Sequence, residues 1–237
     1  MDPLKIVRIT TDSGLLPTKI CRLIYDRFHL VTQGISRVER ATGIRYPLYY
    51  IEPNLVVSTS AIESGQFGIL FARTIPVVVD TELRIVVQIT APLITCGLLG
   101  TIHAILAHEF LHYLQLMSKI IKMDVLSDEI SRSLFEQKYV DHSRLIQEKV
   151  VFKNDPTLIR HLLNRFSTGF KDKRLEDRVV KEWMHKGLPV TAIPLDSNVT
   201  RLPIDKIASV KIDPELKEKI FKFESQELNT GRFRHNA

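Results

Sequence analysis

The chain begins with an apolar segment of strand composition and continues with apolar residues at helical spacing. Residues 4–9, Leu-Lys-Ile-Val-Arg-Ile, have the composition of an extended segment, which predicts an N-terminal strand. A polar turn follows. Ile20, Leu23, Ile24 and Phe28 then recur three and four residues apart, which predicts a helix with a weaker continuation past Gly34.

The next region is rich in β-branched and aromatic residues and is interrupted by proline, glycine and aspartate. Its short apolar runs predict five strands, at residues 46–51, 55–58, 67–71, 75–79 and 83–90. A small mixed or antiparallel sheet is the simplest arrangement for strands of this length.

Residues 85–107 contain no Asp, Glu, Lys or Arg, a length sufficient to cross a bilayer as one helix. Pro92, Gly97 and Gly100 interrupt the stretch, and its first part is β-branched, so we expect a strand, a turn and then a buried helix beginning near Thr101. No membrane span is therefore expected.

The second half of the chain has mainly helical patterns. Helices are predicted over residues 127–151, 155–166, 175–186 and 214–223. We therefore expect an α+β fold in which a small sheet packs on the helix that follows it, with a core at residues 1–150 and a mostly helical C-terminal part at residues 151–237.

Composition and charge add only broad limits. The 237 residues are 44% apolar and 25% charged, which excludes a disordered tail and a disulfide mini-protein. The formal charge of +6 permits weak contact with nucleic acid or an anionic surface. The start of the chain lacks the pattern of a secretory signal, and Cys21 and Cys96 form no disulfide framework, so we expect a cytoplasmic protein.

The predicted helix after the sheet carries His108-Glu109-Phe110-Leu111-His112, an H-E-x-x-H motif. Residues four apart lie on one helical face, so both imidazoles can reach one metal ion, and the adjacent Glu109 can take a proton from water. Burying these three polar side chains in an otherwise apolar helix costs several kcal/mol unless they have partners. The motif therefore predicts a metal centre with Glu109 as its general base.

On this motif and the order of elements around it, the chain resembles the zincin metallopeptidases over about residues 1–150. The resemblance implies a Zn²⁺-dependent hydrolysis of peptide bonds in peptide or protein substrates. It also implies that residues 83–90 form an edge strand that binds extended substrate. The imidazole six residues after the motif in one zincin branch is replaced here by Ser118, so the gluzincin branch is the closer likeness.

Gluzincins take their third metal ligand from a Glu on the following helix. We expect this ligand to be Glu136, because its neighbours are aromatic and apolar and a buried carboxylate requires a cation. Glu129, Asp141 and His142 stay open as alternatives. Tyr113, Tyr139, His142 and His161 are open candidates for stabilising the oxyanion.

Two other functions fit parts of the sequence. Glu182 and His185 repeat the E-x-x-H spacing, and together with Glu39 and Glu136 they follow the chain order of a di-iron carboxylate bundle, an oxidoreductase. The other alternative is a non-proteolytic, basic binding or regulatory protein with a zincin fold, whose phosphate-facing patch would be formed by Lys171, Lys173, Arg174, Lys181 and Lys186.

Overall fold

The computed structural model describes residues 2–59, 67–123, 146–166, 169–194 and 204–232, and these residues form a mixed α+β structure. The helices are α1 (Lys5–Asp12), α2 (Thr18–Thr42), α3 (Ala91–Cys96), α4 (Leu99–Met123), α5 (Glu148–Val151), α6 (Pro156–Phe166), α7 (Lys173–Val179), α8 (Ile204–Ile207) and α9 (Pro214–Arg232). The strands are β1 (Leu48–Glu52), β2 (Leu55–Thr59), β3 (Phe67–Leu70), β4 (Ala72–Val79), β5 (Glu82–Thr90) and β6 (Val190–Pro194). A π-helical turn, Val180–Met184, continues α7.

The N-terminal segment is helical, so the strand predicted at residues 4–9 is wrong. Leu4 and Val7, three residues apart, are both buried, whereas Ile9 is exposed. The Asp2 carboxylate accepts a hydrogen bond from the Leu4 amide at 2.9 Å. An apolar spacing of three and docking on the core thus determine the conformation, and the β-branched residues of the segment are the reason that its composition predicted a strand.

Helix α2 runs without interruption past Gly34, where the sequence pattern weakens. A Cβ atom at Gly34 would lie 2.6 Å from Leu106 Cδ1 and 2.8 Å from His103 Cδ2. The glycine therefore allows α2 and α4 to approach closely. The helix ends at Gly43, which has a φ of 68°, the left-handed conformation that glycine adopts at helix ends.

The strands form two three-stranded sheets. In one sheet the order is β1-β5-β4, with β5 parallel to β1 and antiparallel to β4. In the other, β2 lies between β3, which is antiparallel to it, and β6, which is parallel. The predicted strands are present to within a few residues, but the prediction that residues 83–90 form an edge strand is wrong, because β5 is central. Within the described residues, β4 is the edge strand on that side.

Helix α4 is the central element of the fold. It packs against α2, α6, β4 and α9, and almost every side chain between Thr101 and Ile121 is buried. Such all-round burial explains why its sequence carries so few charges. In the part of the chain that the structure describes, none of the helices combines the length and the apolar character that a bilayer span requires.

The residues after position 150 contribute to the same hydrophobic core as those before it. Leu158 and Leu162 of α6 and Trp183 of the π-helical turn belong to one buried cluster with the residues of α4. Strand β6 also pairs with β2. The division of the chain at residue 150 stays a prediction.

The predicted helix at residues 127–151 falls mostly outside the described residues. Ile146 and Gln147 are not helical, and α5 begins at Glu148. The prediction of a single helix that runs through to Val151 is therefore wrong at residues 146 and 147. The later helices predicted near residues 155–166 and 214–223 are present as α6 and α9, and the one predicted over residues 175–186 is present as α7 with its π-helical continuation.

Candidate metal and catalytic site

The two motif histidines converge on a common point. His108 Nε2 and His112 Nε2 lie 3.0 Å apart, and the rings are perpendicular, with centroids 4.5 Å apart. Two nitrogens that each lie about 2.0 to 2.1 Å from one tetrahedral zinc ion are about 3.3 Å apart. The two nitrogens are within hydrogen-bond distance of each other, and their separation is close to that of two ligands of one metal ion.

The plane of the His108 imidazole is fixed by an aromatic ring from the C-terminal part of the chain. Phe166, the last residue of α6, stacks on His108 with a centroid distance of 3.9 Å and an interplanar angle of 8°. Phe166 in turn contacts Phe170 at 5.4 Å, and Phe170 contacts Phe71 at 5.2 Å. The stacked Phe166 ring restricts rotation of the His108 ring about its χ2 angle.

The Glu109 side chain is buried, with 7% of its surface exposed, and it contacts the edge strand β4. The hydroxyl of Thr74 donates to the carboxylate, with an Oγ1–Oε2 distance of 2.9 Å, and lies 3.0 Å from the Glu109 carbonyl oxygen. A single strand residue therefore contacts both the side chain and the backbone of Glu109. Thr74 holds the carboxylate in one orientation and connects it to the edge of the sheet.

Burial raises the pKa of Glu109 to about 7, and the hydrogen bond from Thr74 and the charge of Arg73 oppose this rise only in part. The surroundings are aromatic: Tyr46 stacks on Phe110 at 5.7 Å and donates its hydroxyl to the Leu106 carbonyl oxygen at 2.9 Å. A carboxylate whose pKa lies near neutrality is suited to general acid–base catalysis, because it can both accept and return a proton.

An ion pair between α2 and the start of α6 positions the helix that carries Phe166. Arg37 contacts Asp155 through two nitrogens, with Nε–Oδ2 and Nη2–Oδ1 distances of 2.5 and 2.8 Å. Asp155 Oδ1 also accepts a hydrogen bond from the Leu158 amide at 2.9 Å. The same carboxylate thus caps α6 and joins it to α2.

A second polar cluster joins the other end of α6 to the start of α4. Thr101 Oγ1 donates to Asp172 Oδ2 at 2.7 Å and accepts from Arg165 Nε at 3.1 Å. Asp172 also caps α7 through the Leu175 amide. The orientation of α6 against α4, and with it the place of Phe166, is therefore fixed at both ends.

The predicted third ligand, Glu136, lies outside the described residues, and so do Glu129, Asp141 and His142. Within the described ranges no group of three or more His, Cys, Asp or Glu side chains is arranged to hold a metal ion. The residues that the structure describes therefore supply two nitrogen donors of the expected type. Glu136 stays the predicted third ligand.

Two of the proposed oxyanion candidates can be located. Tyr113 is half-buried, packs against Phe110 with centroids 6.0 Å apart, and has a pKa that burial raises to about 12. His161 lies against Gly100, eight residues before His108, which corresponds to about 12 Å along a helix axis. His161 is therefore distant from the motif, while Tyr139 and His142 are outside the described residues.

The second E-x-x-H segment has a different environment from the first. Glu182 forms an ion pair with Lys186 one helical turn away, and His185 is exposed. Glu39 accepts a hydrogen bond from the Tyr46 amide at 2.9 Å. The described residues do not bring these side chains together with the motif into a group that could hold metal.

One basic residue of the C-terminal part is paired with a neighbouring acid, because Lys186 forms an ion pair with Glu182. Asp172 lies between Lys171 and Lys173 in the sequence, but its carboxylate contacts Thr101 and Arg165. Lys181 and Arg174 are exposed. This arrangement is typical of a solvated helix surface.

Two residues that contact the motif were not predicted from the sequence. Thr74 is a strand residue whose position beside Glu109 depends on how β4 packs on α4, and short-range patterns carry no such information. Phe166 and Phe170 are four residues apart at the end of a predicted helix, and this pair of aromatic residues was the available signal for a ring contact.

A scan against protein-family models and searches of curated proteins and of solved structures find no match for this chain.

Proposed function

We propose that the chain is a zinc-dependent metallopeptidase in which His108 and His112 hold the metal and Glu109 is the general base. The observation that carries this proposal is the 3.0 Å separation of the two Nε2 atoms, in a motif whose Glu109 carboxylate is buried and held by Thr74. Glu136 is the proposed third ligand, with Glu129, Asp141 or His142 as alternatives. A bound zinc ion supplies Lewis-acid chemistry that eases the deprotonation of water.

The protein side chains have separate roles in this proposal. Glu109 accepts the proton of the attacking water and returns it to the leaving amine. The hydrogen bond from Thr74 keeps the carboxylate oriented during both transfers. Apolar residues around the motif keep the Glu109 carboxylate buried, which is the main cause of its raised pKa.

The edge strand β4 provides a place for substrate. An extended peptide can add to a free sheet edge through main-chain hydrogen bonds. Thr74 belongs to this strand and contacts Glu109, so a peptide that adds to β4 comes close to the general base. This role replaces the one that the resemblance gave to residues 83–90.

The proposal is tested with zinc-loaded wild-type protein and the Glu109→Gln variant, incubated with a mixture of unfolded proteins whose cleavage is followed by mass spectrometry. Wild type should cleave, and the variant should retain zinc while its turnover falls by about 10²- to 10⁴-fold. Equal turnover by the two proteins would rule out Glu109 as general base.

Glu182→Gln is the matched control, because it makes the same change in the other E-x-x-H segment. Its cleavage rate should equal that of wild type. Two irons per chain, lost in this variant, would favour the di-iron alternative. Zinc binding by wild type without cleavage of any protein would favour the non-proteolytic binding protein.

A further inference from the structure

A cavity of about 620 Å³ lies between the start of α2, the end of α3 and the π-helical turn. Its lining residues come from these elements and from the end of α7, and they include none of the three motif side chains. Sites for small molecules in proteins commonly have volumes of about 300 to 1,000 Å³. The cavity is therefore large enough to hold a small organic molecule at a place separate from the motif.

The floor and part of the wall of this cavity are apolar. Trp183, which is 1% exposed, and Cys96, which is buried, form part of the lining, together with Ile20 and Leu23. The indole nitrogen of Trp183 donates to the Pro189 carbonyl oxygen at 2.9 Å, which fixes the ring in position. Ile20 and Leu23 are the apolar lining residues that are not fully buried, so a short apolar group can pack against them beside Trp183.

The charged side chains of the lining are predominantly basic. Four cations, Lys19, Arg22, Arg178 and Lys186, face two carboxylates, Asp26 and Glu182. Lys186 pairs with Glu182. Arg178 Nη1 donates to the Cys96 carbonyl oxygen at 3.0 Å, so its guanidinium group is held against the cavity wall. The excess positive charge favours an anionic ligand.

Two features of the backbone also favour a binding site for an anion. The 25-residue helix α2 has neither an acidic residue in its first turn nor a side chain that caps its N-terminus, so the positive end of its dipole is not neutralised there. The wall opposite includes the π-helical turn Val180–Met184. Turns of this kind are rare and occur frequently at functional sites.

We propose that this cavity binds a small organic anion, in which a carboxylate or phosphate head contacts Lys19, Arg22 and Arg178 and a short apolar tail packs against Ile20 and Leu23, beside Trp183. The proposal does not depend on the metallopeptidase activity. It concerns a site that shares no residue with the motif.

The test uses calorimetry together with the fluorescence of Trp183, which is the only tryptophan in the chain. The full-length protein is titrated with hexyl phosphate, hexanoate and the neutral hexanol. At least one of the two anions should bind saturably and change the tryptophan emission. The affinity for hexanol should be lower than the affinity for that anion by about ten-fold or more. The tighter anion identifies the head group.

The variant Lys19→Gln/Arg22→Gln should weaken binding of that anion by about ten-fold. The matched control is Lys153→Gln/Lys222→Gln, which removes two exposed charges elsewhere and should bind as wild type does. Circular dichroism verifies that both variants are folded.

Four outcomes would overturn the proposal. The first is that neither anion binds saturably. The second is heat of binding without any change in Trp183 emission, which would place the ligand elsewhere. The third is equal affinity for the anion and for hexanol. The fourth is equal affinity for the anion in the Lys19→Gln/Arg22→Gln variant and in wild type.

Discussion

Helix α4 carries two buried histidines with nearly equal exposure and opposite surroundings. His103 is 6% exposed and His108 is 7% exposed. His103 lies against a cation, with its Nδ1 3.5 Å from Arg37 Nη1, whereas His108 stacks on Phe166 and directs its Nε2 towards that of His112. The burial of a histidine alone therefore does not distinguish a structural from a metal-binding role.

The difference between the two regions lies in what surrounds each ring. In the first region, which consists of Arg37, His103 and Asp155, the charges compensate one another and join α2 to α6. In the second, which consists of His108, Glu109 and His112, the two imidazole nitrogens lie 3.0 Å apart and the carboxylate of Glu109 is buried against Thr74. The first arrangement stabilises the fold, and the second is suited to holding a cation.

The largest predicted effect is a loss of stability when the ion pair of the first region, between Arg37 and Asp155, is removed. Asp155→Ala should lower the free energy of unfolding by about 2 to 3 kcal/mol, because it leaves Arg37 without its partner and removes the cap of α6. Urea denaturation measures this change. Asp177→Ala, at an exposed aspartate of α7, should change the free energy by about 0.5 kcal/mol or less. If Asp155→Ala lowered the free energy of unfolding as little as Asp177→Ala does, the ion pair between Arg37 and Asp155 would not contribute to stability.

A smaller effect is expected when the ring that stacks on His108 is removed. Phe166→Leu should weaken zinc binding by about ten-fold, because the imidazole loses the contact that fixes its plane. Competition with a chromophoric chelator measures the affinity. Phe170→Leu removes a ring from the same cluster that does not stack on His108, and it should bind zinc as wild type does. Equal affinities in the Phe166 variant and wild type would contradict a positioning role.

The smallest effect is a pH dependence that arises from His103. Burial, and then the charge of Arg37, lowers the pKa of His103. A backbone hydrogen bond with Leu30 and the charge of Asp155 oppose this shift, and His161 adds to it. The unfolded chain therefore binds a proton more readily, and this contribution to stability is present above the unfolded pKa of 6.5 and lost as the pH falls through the folded pKa.

Thermal unfolding between pH 7.5 and 5 tests this dependence. Wild type should lose more stability over this range than His103→Gln, in which no imidazole is protonated at that position. Parallel pH profiles for the two proteins would assign the dependence to other groups.

Most of the secondary structure and the central motif could be predicted from the sequence because they depend on residues close together in the chain. Strand composition and helical spacing are local, and so is the four-residue separation of His108 and His112. The contacts of Thr74 and Phe166 depend on the packing of distant segments, which local patterns do not encode. The same reason explains the wrong assignment at residues 4–9, where burial of Leu4 and Val7 against the core decided the conformation.

The central claim is that His108 and His112 hold one zinc ion while His103 holds none. Elemental analysis of purified wild type, His112→Ala and His103→Gln tests it most directly. Wild type and His103→Gln should retain about one zinc per chain, and His112→Ala should retain none. Zinc retained by His112→Ala, or lost from His103→Gln alone, would contradict the account.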